Sequence, residues 1–266
     1  MRVIINADDL GLNRVVNSAI DDCLSKGLVT SATIMAAGAE INGVSDIVKR
    51  YPNASFGVHL CLDEVKPLIS MDKFAKFGAI DSDGILLKGW YINIKITREL
   101  LELIYEEWRA QICHVLSLGI TISHLDSHHH VHTSPSLRSI LFKLSSEFGI
   151  NKVRLPLFLP LNLRKCMTLQ KNPVELNSKQ SIIKKIIYYI IRTINKGKEC
   201  EWMKKTFHTT DFFCHALTFF DNVDVLARYD TIEVMCHPGH PAYQKETEML
   251  SKFEYNNIQK ISYKEL

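Results

Sequence analysis

Short apolar runs alternate along this chain with longer segments whose apolar residues recur at helical spacing, and this alternation constrains the fold more than any other feature. A chain that alternates strands with helices is typical of a parallel sheet covered by helices, with the carboxyl ends of the strands at one edge. We therefore predict an α/β fold. The length of 266 residues fits one large α/β domain or two small ones. The predicted strands cover residues 2–6, 30–36, 55–60, 119–122, 152–156 and 231–236.

Polar residues that carry chemistry follow several of these runs. Asp8 and Asp9 follow the first strand, His59 ends the third, and His237 follows the last. The fourth strand leads into a histidine-rich stretch over residues 123–132. Because parallel strands end at the same edge of a sheet, we expect these side chains to lie close together.

The histidine-rich stretch holds five of the eleven histidines of the chain, together with Asp126. Imidazole is the commonest protein ligand for borderline divalent metals, and a nearby carboxylate can bind the metal or orient the imidazole. If this stretch continues as an extended chain, Asp126, His128, His130 and His132 point to one side and His129 to the other. The alternative is a surface tract that binds metal without a function.

The adjacent acids Asp8 and Asp9 also point to opposite sides of an extended backbone, so one can bind a metal while the other accepts a proton. The alternative is that one of them caps the next helix, although Asn13 is better placed to do so. Two imidazoles, a carboxylate ligand, a carboxylate base and a histidine acid are the groups that metal-assisted hydrolysis of an amide or ester requires.

Charge and hydropathy exclude other classes of function. The net charge of +3 gives no argument for nucleic acid as a partner. No signal peptide precedes the first strand and no apolar run is long enough to cross a bilayer, so we expect a cytoplasmic protein.

An amphipathic helix near residues 182–194 is predicted to cover the sheet, or alternatively to dock on a membrane surface or a partner chain.

Four motifs resemble those of the YdjC-like carbohydrate deacetylases, a family that includes chito-oligosaccharide deacetylases. They cover residues 6–11, 57–60, 124–132 and 236–239, in the order of the family. The resemblance implies a distorted (β/α) barrel of the TIM-like kind, in a single domain over residues 1–266 with a variable segment near 157–205. It also implies one divalent metal ion, Mg or Zn, and removal of the N-acetyl group from an acetylated amino sugar.

The resemblance also implies roles for single residues. Asp9, His59 and His128 fall on the metal ligands, and Asp8 falls on the catalytic base. His237 falls on the rim of the active site, and we assign it as the acid that protonates the leaving amine. The residues that we expect to contact substrate are Asp126, His130, His132 and Arg154, with His132 as a reserve metal ligand.

Several alternatives stay open at this point. Arg154 suits a carboxylate partner as well as a substrate oxygen. The segments 65–96 and 157–205 are predicted to form walls over the mouth of the barrel. Other metal hydrolases, such as a deformylase or a phosphoesterase, and a non-catalytic protein that binds sugar or metal are the competing functions. A homo-oligomer is left open.

Overall fold

The computed structural model describes residues 1–92, 94–157, 195–252 and 257–266. The strands are β1 (Arg2–Leu10), β2 (Ser31–Ile34), β3 (Ser55–Leu60), β4 (Leu125–Ser127), β5 (Phe212–His215), β6 (Thr231–Cys236) and β7 (Gln259–Lys260). The first helices are α1 (Arg14–Ser25), α2 (Val44–Arg50), α3 (Met71–Ala75), α4 (Arg98–Ser117) and α5 (Arg138–Phe148). The later ones are α6 (195–206 in its described part), α7 (Ala216–Asp221), α8 (Val223–Leu226) and α9 (Gln244–Lys252).

The strands form one parallel sheet in the order β4-β3-β2-β1-β6-β5, and β7 adds a short pairing to the start of β1. Every pairing between these strands is parallel. The carboxyl ends of six strands therefore lie at one edge, as the alternation of elements predicts.

The sheet curves towards closure beyond β4. Leu125 forms a parallel bridge to Val153, and Lys152 forms another to His208. The amide of Arg154 donates to the carbonyl of Leu125, and the amide of Val153 donates to the carbonyl of His208. The result is a half-barrel of parallel strands with helices packed against it, so the predicted distorted (β/α) barrel is confirmed.

Helix boundaries follow local sequence signals. The side chain of Asn13 accepts from the amide of Val16 at 3.0 Å and caps α1. Neither Asp8 nor Asp9 caps this helix, and both lie within β1. Helix α5 ends at Gly149 in the left-handed conformation, with φ of 67°. An apolar stripe at helical spacing along α4 is fully buried; it consists of Leu100, Ile104, Trp108, Ile112 and Val115.

The histidine-rich stretch departs from its predicted geometry. Residues 119–124 are not a strand, Thr121 is exposed, and β4 covers only three residues. A 3-10 turn follows over His128–Thr133, and His129 and His130 adopt positive φ angles of 52° and 56°. The predicted alternation of side chains is therefore wrong beyond Ser127, because the chain is not extended there.

The first histidine of this stretch belongs to the core. The ring of His124 is fully buried and stacks on Tyr263, with 3.6 Å between the ring centroids. A Cβ atom on Gly57 would lie 2.6 Å from the His124 ring, so the neighbouring strand needs glycine at this position. The motif over residues 57–60 therefore combines a packing requirement with the functional residue His59.

Segments 65–96 and 157–205 are the predicted walls of the barrel mouth. Residues 65–96 contain α3, a bridge between Ile80 and Leu86 and a 3-10 turn over Trp90–Ile92, with no long helix or strand. Most of segment 157–205 lies outside the described residues, and so does the whole of the predicted helix 182–194. Among the described residues, no helix combines the length and the hydropathy of a membrane span.

Candidate metal centre and active site

Asp9 lies at the centre of the candidate site, on a strained part of β1. Its φ of 72° is in the left-handed region, and the register of β1 against β2 shifts between Ala7 and Leu10. Among the described residues, five non-glycine residues have positive φ angles: Asp9, Glu64, His129, His130 and Asn257. All but Asn257 surround this site. Strained backbone of this kind persists where function requires a particular side-chain direction.

Asp9, His59 and His128 form a set of candidate metal ligands. The Oδ1 atom of Asp9 lies 3.4 Å from Nε2 of His59 and 3.2 Å from Nδ1 of His128. One donor atom from each residue lies within 4.8 Å of the other two. The same Asp9 oxygen is buried, and within the described residues it has no hydrogen-bond partner. A buried oxygen without a donor, next to two imidazole nitrogens, fits a divalent cation.

The electrostatics of these three residues favour a bound positive charge. Burial lowers the pKa of His59, but the charge and hydrogen bond of Asp126 and the carboxylate of Asp9 outweigh it and raise this pKa to about 10. Burial also opposes protonation of His128, yet Asp9 and Glu64 raise its pKa to about 9. Carboxylates that stabilise a proton on these imidazoles also stabilise a divalent cation in its place.

Each histidine ligand has a second carboxylate behind it. Nδ1 of His59 lies 2.7 Å from Oδ1 of Asp126, and Nε2 of His128 lies 3.3 Å from Oε2 of Glu64. A carboxylate on the far nitrogen fixes the tautomer and the direction of a metal-binding imidazole. The hydroxyl of Thr33 donates to Oδ2 of Asp126 at 3.1 Å. Glu64 stands on a loop and is not among the residues that the sequence pattern indicates.

Arg154 joins three carboxylates under the metal ligands. Its guanidinium donates to both oxygens of Asp8 at 2.7 Å and to Oε1 of Glu233 at 2.8 Å, and it lies 2.6 Å from Oδ2 of Asp126. All four side chains are at most 2% exposed. The two possibilities for Arg154 are thus resolved in favour of carboxylate partners. The sequence analysis did not identify Glu233, although it is the single acid within the apolar strand Thr231–Cys236.

Asp8 is held as an ionised acceptor. Burial raises its pKa, but the charge and the hydrogen bonds of Arg154 outweigh burial and hold the pKa well below its usual range. The Asn6 side chain donates to Oδ1 of Asp8 at 2.8 Å. A carboxylate offers about four lone-pair positions, and these three donors leave room for one further hydrogen bond.

His132 is turned away from the metal ligands. Nδ1 lies 2.5 Å from the Ser127 hydroxyl and Nε2 lies 3.0 Å from the Arg154 carbonyl oxygen, so both ring nitrogens have protein partners. The side chain is fully buried, and burial lowers its pKa to about 3. The structure therefore does not bring His132 to the metal ligands, and it gives no support to a role as reserve ligand.

Buried partners likewise change the interpretation of Asp126 and Arg154. Both side chains are fully buried, and their polar atoms contact protein groups. Direct contact with substrate would require them to break these contacts. We therefore assign them the positioning of His59 and Asp8.

A row of histidine rings lies beside the metal ligands, along the ends of β5 and β6. The ring of His130 contacts His215 at 6.3 Å between centroids, and His215 contacts His237 at 6.4 Å. Nδ1 of His130 is buried and has no hydrogen-bond partner within the described residues. The role of His130 in contacting substrate stays a prediction. The sequence analysis did not identify His215, which is the last residue of β5.

His237 follows β6 and is held on two sides. Its ring stacks on Tyr243, with 4.3 Å between centroids, and its Nδ1 lies 3.2 Å from Oε2 of Glu246. Burial lowers the pKa of His237, but the hydrogen bond with Glu246 and the charge of Asp8 outweigh it, so the pKa is raised. The sequence placed His237 at a strand end correctly, whereas Glu246 had no visible signal.

The chain is similar to known proteins over nearly its whole length. The family model described as "YdjC-like protein" matches residues 2–264. A carbohydrate deacetylase of Vibrio cholerae serotype O1 (strain M66-2) is 30% identical over 245 residues, which cover 90% of this chain and 79% of that protein. A carbohydrate deacetylase of Halalkalibacterium halodurans is 29% identical over 268 residues, which cover 96% of this chain and 97% of that protein.

A solved structure supports the fold. It is the crystal structure of a protein from Enterococcus faecalis V583 that carries the name "putative cellobiose-phosphate cleavage protein". The TM-score is 0.71 at 21% identity, and the match covers 99% of this chain and 98% of that one. The family match covers the metal ligands and the residues that surround them, and we conclude that this chain belongs to the family of YdjC-like proteins.

Proposed function

We propose that the protein is a metal-dependent carbohydrate deacetylase that removes the N-acetyl group from an acetylated amino sugar and releases acetate. The observation that carries this proposal is the convergence of Asp9, His59 and His128 on one point beside a buried ionised carboxylate, Asp8. The relatives described above carry the name carbohydrate deacetylase, and this supports the choice of substrate class.

One divalent ion, Mg or Zn, would be held by Asp9, His59 and His128. When bound there, it would polarise the amide carbonyl and lower the pKa of a water molecule. Asp126 and Glu64 keep the imidazoles oriented towards it through their far nitrogens. The mixed oxygen and nitrogen donor set suits either ion, so the native metal has to be measured.

Asp8 and His237 divide the two proton transfers between them. Asp8 accepts the proton of the attacking water, because Arg154 and Asn6 keep it ionised and leave it one lone-pair position. His237 gives a proton to the amine nitrogen as the bond between carbon and nitrogen breaks. The net reaction converts the amide and water into acetate and a protonated amino sugar: both protons of the water end on the amine nitrogen, and the proton that Asp8 holds returns to His237 before the next turnover.

Substrate contacts are assigned to the row of histidine rings. Nδ1 of His130 has no hydrogen-bond partner in the part of the chain that the structure describes, and it can bind a hydroxyl or carbonyl of the sugar. The half-buried His215 lies between His130 and His237. Segments 65–96 and 157–205 remain the predicted walls over the mouth of the site.

Acetate release tests this proposal. The enzyme would be incubated with N-acetylated mono- and oligosaccharides after loading with Mg, Zn, Mn or Co, and acetate, formate and phosphate would be measured in parallel assays. We expect acetate from at least one N-acetylated sugar. Release of formate or phosphate from matched substrates, with no acetate from any sugar under any metal, would overturn the proposal in favour of a deformylase or a phosphoesterase.

A further inference from the structure

Glu246 is a buried carboxylate on a helix that is otherwise mostly exposed. It is 1% exposed, whereas the side chain of Glu248, on the same helix α9, is 68% exposed. A buried carboxylate costs several kcal/mol unless it is paired and hydrogen-bonded. The position of Glu246 therefore requires partners, and the structure shows which groups supply them.

Two nitrogen atoms of one residue meet the same oxygen of Glu246. The backbone amide of His237 donates to Oε2 at 2.8 Å, and Nδ1 of the His237 ring lies 3.2 Å from it. An ionised carboxylate only accepts hydrogen bonds, so Nδ1 is the protonated nitrogen of this pair. This contact fixes the tautomer of the ring and leaves Nε2 as the nitrogen that can face a ligand.

We propose that Glu246 is the positioning residue for His237: it holds the ring with Nδ1 protonated, directs Nε2 to the leaving amine and stabilises the imidazolium form. This inference depends on the proposed function, since it concerns the group that protonates the leaving amine. Tyr243 limits rotation of the ring by stacking on it, and His215 lies 6.4 Å away on the β5 side.

Charged and titratable groups surround His237 on every element that packs against it. Asp8 and Asp9 on β1 and Glu246 on α9 favour its protonated form. His215 on β5 and Tyr243 complete the surroundings, and burial lowers the pKa of His215 to about 4, so that its ring is uncharged at neutral pH. Glu246 is the group that hydrogen-bonds to the His237 ring, so its charge should raise the pKa of His237 more than the other charges do.

The substitution Glu246→Gln tests this role because it keeps the shape of the side chain and removes its charge. We expect kcat for N-acetylated sugars to fall on the order of 10- to 100-fold, as is typical for the outer partner of a functional histidine. The alkaline limb of the pH profile should move to lower pH, because His237 loses its proton more easily. The metal content should not change. Glu248→Gln, on the same helix, is the matched control and should behave as wild type.

A second measurement does not depend on activity. ¹⁵N NMR of histidine-labelled protein reports the tautomer and the pKa of His237, and His237→Gln identifies its signals. We expect the Nδ1-protonated tautomer in wild type and a lower pKa in Glu246→Gln. Glu246→Asp keeps the charge on a shorter side chain and should restore part of the pKa and of kcat. It also serves as the test variant if Glu246→Gln does not fold.

The outcomes separate this inference from the proposed function. An active wild type whose Glu246 variants keep the wild-type pH profile and the wild-type His237 pKa would overturn the inference and leave the proposed function intact. A wild type that releases no acetate from any sugar would overturn the proposed function, and with it the role of Glu246 in protonating the leaving amine. The expected shifts of the pH profile and of the His237 pKa in Glu246→Gln, with unchanged metal content, support the inference and the proposed function.

Discussion

Two regions of the site surround Asp9 in different ways. The floor consists of His59, Asp126 and Asp8, which lie on strands, and of the buried Arg154. The rim consists of His128 on the 3-10 turn and Glu64 on a loop. His59 and Asp126 are at most 2% exposed, and their contact measures 2.7 Å. The side chains of His128 and Glu64 are 16% and 42% exposed, and their contact measures 3.3 Å. Each region thus offers Asp9 one histidine backed by one carboxylate.

This difference shows how one site combines a rigid half with an adaptable half. Electrostatic contacts are stronger where water is excluded, so the floor should hold its geometry. Exposed pairs contribute little because water screens them, so the rim can adjust as substrate arrives. Lys88 also contacts Glu64 at 3.1 Å, so this rim carboxylate is shared between Lys88 and His128.

The largest effect is expected at the residue common to both regions. Asp9→Ala removes the oxygen that faces both imidazoles, and the two rings alone bind a metal weakly. We expect loss of the metal and loss of kcat by at least ~10⁴-fold, more than one acid–base group contributes. Metal content by mass spectrometry, measured beside acetate release, checks this. A variant that keeps a full equivalent of metal would contradict the assignment of Asp9 as a ligand.

Asp8→Asn tests the floor separately from the metal. The amide keeps the shape of the side chain but is not a base, so kcat should fall ~10²–10⁴-fold while the metal stays bound. The measurement is kcat and metal content for Asp8→Asn beside Asp9→Asn. If the first variant loses metal and the second keeps it, the roles of the two aspartates are exchanged.

The paired variants Asp126→Asn and Glu64→Gln compare floor and rim directly. Outer carboxylates contribute roughly 10- to 100-fold in metal affinity, and we expect Asp126→Asn to lose that amount. Glu64→Gln should lose only about threefold, since exposed pairs are worth roughly 0–1 kcal/mol. Isothermal titration with Zn, using Glu248→Gln as a surface control, measures both. Equal losses would mean that burial does not distinguish the two regions.

A separate effect, on stability rather than on activity, concerns His132, whose ring contacts the Arg154 carbonyl. Burial lowers its pKa to about 3 from an ordinary value near 6.5. Between these values the unfolded chain binds a proton and the folded chain does not, so stability falls as pH falls from 6.5 towards 3. This group should contribute a slope of up to ~1.4 kcal/mol per pH unit.

In His132→Asn that contribution disappears, so the free energy of unfolding should depend less steeply on pH between 6.5 and 4. Urea unfolding in EDTA measures the slope without linkage to metal binding. His208→Asn, at an exposed histidine, is the control and should keep the wild-type slope. An unchanged slope in His132→Asn would show that this residue is already protonated in the folded protein.

The sequence predicted those features that depend on local pattern. Strands β3 and β6 have their predicted bounds. Asp9 and His59 could be placed at strand ends because the alternation of strands and helices brings those ends to one edge. The resemblance then indicated which of the adjacent acids faces the histidines.

Local pattern could not predict contacts that depend on distant parts of the chain. Glu64, Glu233 and Glu246 become partners of His128, Arg154 and His237 only after folding. His215 also joins the row of rings only through the neighbouring positions of β5 and β6. No periodicity marks such residues, because each owes its role to one neighbour far away or on another element.

The sequence by itself determined the alternation of strands and helices, and with it a parallel α/β sheet whose chemistry lies at one edge, because hydrophobic periodicity is a property of neighbouring residues. Only the tertiary structure decided which histidines face Asp9. The left-handed backbone at His129 and His130 ends the alternation, so that His128 reaches Asp9 while His132 turns to Ser127 and the Arg154 carbonyl. Backbone of this kind is stabilised by surrounding packing and hydrogen bonds, and these exist only in the folded chain.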